Sequence, residues 1–99
     1  MRYTAFEWDA AKARSNLRKH GVSFQNARSL FDRPHLAKLQ LDEASGEERW
    51  VAIGWIKATL GVVVFTERVS DAGTETIRII SARKASNRER TWYEKAITN

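Results

Sequence analysis

Apolar residues recur along the chain first at helical and then at alternating spacing, and the change of period divides it into predicted elements. Ala10, Ala13 and Leu17 share one face of a segment rich in helix formers that runs to Lys19. Asp9 is placed to cap its start and Gly21 to supply the left-handed residue after its end. Ser23 caps a second helical pattern, Phe24, Ala27, Leu30 and Phe31, which closes near Asp32-Arg33-Pro34. From His35 the period drops to two. Ala37, Leu39 and Leu41 alternate with Leu36, Lys38 and Gln40, and Arg49 to Ile56, Val62 to Arg68 and Thr76 to Ala82 continue as strands. The short turns between them pair successive strands antiparallel, which predicts a four-stranded meander. Strands three and four are apolar on both faces, so both faces need cover. Ser86-Asn87-Arg88-Glu89 has the spacing of a capping box and opens a closing helix through Ile97, packed by Trp92, Tyr93, Ala96 and Ile97. The expected fold is therefore α+β: two N-terminal helices, a four-stranded antiparallel meander sheet and a C-terminal helix, with Tyr3 to Trp8 as a further short edge strand.

With 99 residues and no repeat, low-complexity tract or linker, the chain is expected to form a single domain over 1–99. The absence of cysteine removes disulfide frameworks, thiolate nucleophiles, zinc fingers and iron–sulfur clusters from consideration. No apolar signal core follows Met1, and the longest apolar run, Val62 to Phe65, is too short to cross a bilayer. A cytoplasmic protein without a membrane partner is expected. Lysine plus arginine number 17 against 12 acidic residues, a net charge of +5 that favours an anionic partner. The charge is segregated: Lys12, Arg14, Arg18 and Lys19 cluster near the start, Asp42 to Glu48 form an acidic loop, and Arg78 to Lys95 are again mostly basic.

There is no Gly-rich phosphate loop, no metal-ligand spacing and no nucleophile elbow, so no metal and no cofactor is expected. Chemistry must then use arginine, lysine, histidine and carboxylate. That set suits RNA, whose 2′-hydroxyl is an internal nucleophile needing alignment, a proton acceptor and charge stabilisation. Lys12, Asn16 and Lys19 fall along one face of the first helix, which reads as a solvated face or as an RNA contact. His20, at the dipole's negative end, is either a packing residue or a proton-transfer and phosphate-binding group. Arg68 and Arg78 come close on adjacent strands, and Arg83 follows. Like charges so placed need an anion or a carboxylate between them, for which Glu67 and Glu89 are the internal candidates. The alternatives are a phosphate site and a salt-bridge network tying sheet to final helix. Trp50 and Trp55 lie on opposite faces of the second strand, either packed in the core or offered to a base.

Taken together, Phe6-Glu7-Trp8-Asp9, Lys12, Asn16, Lys19-His20-Gly21-Val22-Ser23-Phe24, Ala27, Phe31, Glu48-Arg49, Ile53-Gly54, Thr66-Glu67-Arg68, Arg78-Ile79-Ile80-Ser81-Ala82-Arg83-Lys84-Ala85, Arg88-Glu89-Arg90 and Tyr93 resemble the BrnT toxins of bacterial type II toxin–antitoxin systems. The likeness runs from about residue 6 to residue 96, with departures at Arg33, in the turn Val69 to Glu75 and at Trp92. It implies a RelE-like fold and a ribonuclease that arrests translation by cutting RNA, and the residue set above makes that endoribonuclease metal-independent. It also implies a BrnA-type antitoxin partner, with operator DNA bound only through the complex. Carried onto this sequence, Arg68, Arg83, Arg78, Glu67 and His20 become catalytic candidates, and Lys12, Lys19, Arg49, Arg88 and Tyr93 candidates for RNA binding. The alternative is a basic subunit that holds antitoxin or nucleic acid without cutting it.

Overall fold

The structure, a computed structural model, describes residues 4–98. β1 (Thr4–Glu7) leads into α1 (Ala10–His20), and a single α-turn, α2 (Phe24–Ala27), tightens into a 3₁₀ turn over Arg28–Asp32. β2 (Leu36–Asp42), β3 (Glu47–Ile56), β4 (Thr59–Val69), β5 (Glu75–Lys84) and α3 (Asn87–Thr98) follow. The sheet order is β1-β5-β4-β3-β2.

The antiparallel meander from β2 to β5 is as the sequence predicts. So are the helix caps: Asp9 accepts from the Lys12 N–H at 2.9 Å, Gly21 adopts φ 71°, and Ser23 accepts from the Asn26 N–H at 3.1 Å. Two features correct the expectation. The sheet is five-stranded and mixed, because β1 adds in parallel to β5, with Glu7 opposite Arg78. Of the expected edge strand, Tyr3 lies outside the described residues and Trp8 has left the ladder to pack against the core. The second helix is also shorter than expected. The Ser29 hydroxyl donates to the Asn26 carbonyl at 2.7 Å, and the Arg33 N–H points back to Leu30, so the chain tightens before Pro34 ends it.

The two faces of the sheet are covered differently. On one, Ala52, Ile56, Val63, Phe65, Ile77, Ile79 and Ala82 are buried against Val22, Phe24, Ala27 and Leu30, forming the main core. Gly54 permits this approach, since a Cβ there would stand 2.8 Å from that of His35. Beyond Glu7 the outer edge of β5 has no strand neighbour, and Asn16 of α1 fills the gap. Its amide donates to the Ala82 and Val22 carbonyls at 2.8 and 3.0 Å and accepts from the Ala82 N–H at 3.2 Å. Asn16 is thus buried and structural, while Lys12 and Lys19 remain exposed.

On the opposite face α3 covers one end only. Tyr93 buries Ile53, Leu60 and Val62, and its hydroxyl donates to the Pro34 carbonyl at 3.2 Å. A bulge matters here. Val64 pairs with Ser81 and Phe65 with Ile79, leaving Ile80 as the extra residue. Five residues apart, Arg78 and Arg83 would alternate to opposite faces of a regular strand; the bulge puts both on the face that α3 leaves partly open. By the same registers Lys38, Arg49 and Arg68 lie on this open face, and Glu48 and Glu67 on the helical one.

Candidate nucleic-acid interface

One concentration of charge on the open face is built by three strands. Parallel pairing sets Glu7 beside Arg78, and the β4–β5 register sets Thr66 opposite Arg78 with Arg68 one pair further along. One oxygen of Glu7 serves both guanidiniums. Arg68 donates to Oε1 at 3.1 Å, and the nearest nitrogen of Arg78 is 3.6 Å from the same atom. Both arginines remain accessible, Arg68 with 73% of its side chain exposed and Arg78 with 46%. Sharing one contacting carboxylate leaves the two guanidiniums with an excess of positive charge over their direct ion-pair partner. A phosphate would meet that excess.

Glu67, the carboxylate expected between these arginines, lies on the other side of the sheet. It lines a groove of about 350 Å³ with Asp32, His35, Trp50 and Phe65, and takes part in interactions of its own there. The partner that the structure supplies, Glu7, belongs to the edge strand. Its only signal in the sequence was its place in Phe6-Glu7-Trp8-Asp9.

Arg83 has a different environment. It meets Glu89 through two parallel bonds of 2.8 and 2.9 Å, and Glu89 also accepts from the Ser86 N–H while Ser86 Oγ accepts from the Glu89 N–H. Capping box and salt bridge therefore share one carboxylate, tying β5 to α3. The Arg83 bonds outweigh the opposing effect of burial and hold the Glu89 carboxyl down at about 2, against an ordinary 4.5. A depressed carboxylate stabilises the fold fully above its unfolded value, so this contribution is complete above about pH 4.5 and is lost as the pH falls towards 2. Arg83→Ala should cost about 1–2 kcal/mol at neutral pH, kept modest by the half-exposed guanidinium, and flatten the acid limb of a melting-temperature profile.

The remaining candidates are dispersed. The Asp9 carboxylate is lowered chiefly by its bond from the Lys12 N–H and also feels the charge of Arg78, so the N-cap of α1 lies within electrostatic reach of that arginine. From there the helix follows β5 to the Asn16–Ala82 contact. His20 and Lys19 thus stand at its far end, roughly 16 Å along the axis from Asp9. Arg49 bonds Asp42 at 3.2 Å and approaches Glu47 at 3.6 Å, and its Nε is buried with no acceptor among the described residues. Arg88 is exposed in the first turn of α3, and Tyr93 is buried with its hydroxyl in use. Trp50 and Trp55 do fall on opposite faces. Trp50 packs at the margin of the main core, and the guanidiniums of Arg33 and Arg90 each stand 5.7 Å from the centroid of the Trp55 ring.

Comparison with known proteins bears on the family. Residues 8–89 match the family model described as "Ribonuclease toxin, BrnT, of type II toxin-antitoxin system". No curated protein matches the chain. Among solved structures, the crystal structure of the Brucella abortus ribonuclease toxin BrnT is similar, with a TM-score of 0.59 and 28% identity over 86% of this chain and 99% of that one. With the family model spanning most of its length, the chain belongs to the BrnT ribonuclease toxins of type II toxin–antitoxin systems.

Proposed function

We propose that this chain cuts RNA at the Arg68–Glu7–Arg78 cluster, through attack of a 2′-hydroxyl on its neighbouring phosphate and without a metal ion. The observation that carries the reading is the sharing of one Glu7 oxygen by two accessible guanidiniums on the open face, in a member of a ribonuclease toxin family. Glu7 takes the proton of the 2′-hydroxyl as the 2′-oxygen bonds to phosphorus. Arg68 and Arg78 stabilise the charge that develops on the phosphoryl oxygens, the bond to the 5′-oxygen breaks, and the proton returns to that oxygen. The products are a 2′,3′-cyclic phosphate and a 5′-hydroxyl. Lys12 and Arg49 contact flanking phosphates, and Arg83 supports the site by anchoring α3.

A type II toxin implies an antitoxin. At a net charge of +5 this chain is suited to an acidic stretch of a BrnA-type partner that covers the arginine face, and the complex in turn represses the operon at operator DNA. The setting is the cytoplasm. No helix among the described residues is long and apolar enough to span a membrane. The non-catalytic alternative draws support from Arg83, whose charge is consumed internally by Glu89.

The metal-free route is tested directly by chelation. Cleavage of a synthetic RNA is expected to persist in excess EDTA and to leave cyclic phosphate ends, whereas the same strand with 2′-O-methyl sugars should remain intact. Activity abolished by EDTA and restored by magnesium would overturn the mechanism. Absence of cleavage in any condition would favour the binding-only subunit.

A further inference from the structure

The arginine cluster leaves unexplained a broad groove elsewhere on the open face, between α3 and β2. Its volume is about 680 Å³. Val51, Ile53 and Val62 form an apolar floor, Lys38 and Gln40 line the β2 side, and Trp92 stands on the α3 side. Trp92 is 56% exposed although the adjacent Tyr93 is buried, so the helix turns its largest side chain into the groove rather than into the core. An exposed indole over an apolar floor has flat aromatic surface to offer and little of its own to cover it.

We infer that this groove is a nucleobase subsite of the RNA-binding face, with the base stacked on Trp92 and its edge read by Gln40. The inference rests on the reading of the open face as the RNA site. Base faces are apolar and aromatic, which matches floor and wall, while base edges carry donors and acceptors together, which a side-chain amide can meet with both of its ends. Lys38 then meets the attached phosphate. An acidic antitoxin segment fits less well. The groove's other cation, Arg83, is saturated by Glu89, so a row of carboxylates would find only Lys38 without an acid partner among the described residues.

Position supports the same occupant. Val62 on the groove floor and Thr66 beside Arg78 lie on one face of β4, four residues and about 13 Å apart. A short stretch of extended single strand reaches from one to the other. A base held under Trp92 would thereby fix which phosphate reaches the arginines, making Trp92 and Gln40 determinants of where the strand is cut.

The test uses the whole chain and short 2′-O-methyl RNA oligonucleotides, which bind without being cut. Trp92→Ala should weaken binding roughly 5- to 100-fold, the range for loss of one aromatic stack. Trp92→Phe should hold affinity within a few-fold while losing the part of the tryptophan quenching that RNA causes in the native protein. Ile97→Ala, an exposed position on the same helix, should change neither. Unaltered binding by Trp92→Ala would overturn the subsite and leave the ribonuclease reading standing, whereas no binding by the native chain would overturn both. If Trp92→Ala binds RNA normally but loses its antitoxin, the groove belongs to the protein partner.

Discussion

Arg78→Ala and Glu7→Gln should each slow RNA cleavage by about 30- to 1000-fold, equivalent to roughly 2–4 kcal/mol of lost transition-state stabilisation, while melting temperature stays nearly constant. The two variants act for different reasons and so separate in the kinetics. Arg78 carries charge that matters most when the phosphorane forms. Its pair with Glu7 is a half-exposed surface contact at 3.6 Å, and such pairs add at most about 1 kcal/mol to folding. Removing it should lower kcat/KM with little structural cost. Glu7→Gln keeps the shape of the side chain but removes the proton acceptor and the negative charge that both arginines face. RNA should therefore bind more tightly as kcat falls, a combination that a purely structural role cannot produce. Arg68→Ala should follow Arg78→Ala more weakly, because its side chain is the more exposed. If Glu7→Gln tightens binding and leaves cleavage unchanged, the base lies elsewhere and Glu7 merely holds two arginines apart. The same kinetics run on Arg83→Ala supply the contrast, since there stability should fall first and activity follow it.

How much of this arrangement the sequence discloses depends on how local each determinant is. Caps, turns and the antiparallel meander rest on residues a few positions apart, and Asp9, Gly21, Ser23 and the Ser86–Glu89 box all do what their spacing implies. The pairing of Arg83 with Glu89 was open to the same kind of reading, as one of two alternatives. The site is less legible because its assembly is non-local. Glu7 reaches Arg68 and Arg78 only through a parallel strand pairing across most of the chain, for which no turn residue gives notice. Period-two counting would set Arg78 and Arg83 on opposite faces, and nothing in Arg78-Ile79-Ile80-Ser81 marks where the bulge falls. The same counting shows that Glu67 and Arg68, as neighbours on one strand, must point to opposite faces. That was available from sequence alone, and it sends Glu67 away from the arginines. Asn16 was misleading for another reason. Its spacing from Lys12 and Lys19 suggested a polar helix face, because the unpaired strand edge that claims it is invisible until β1 is known to stop at Glu7.

That edge makes Asn16→Ala the substitution with the largest expected effect on folding. The side-chain amide stands in for a missing strand: its nitrogen serves two carbonyls and its oxygen one N–H, and alanine leaves all three backbone groups without a protein partner. Each unsatisfied buried group costs about 1–3 kcal/mol, with the sum reduced where water can enter, so a loss of about 3–4 kcal/mol is expected. For a domain of this size that corresponds to a fall in melting temperature of roughly 12–30 °C. Asn16→Asp tests the chemistry rather than the volume. It keeps an acceptor for the Ala82 N–H but turns a second oxygen towards two carbonyls, and should be at least as damaging at neutral pH. Ser15→Ala, at an exposed neighbouring position, should leave the melting temperature close to native. A loss below about 1 kcal/mol for Asn16→Ala would mean that water replaces the amide and that α1 is held to β5 by its apolar contacts alone. If the loss is as large as expected, α1 owes its seat to hydrogen bonds at a strand edge. The seating of α1 along β5 then depends on Asn16, which touches no substrate itself.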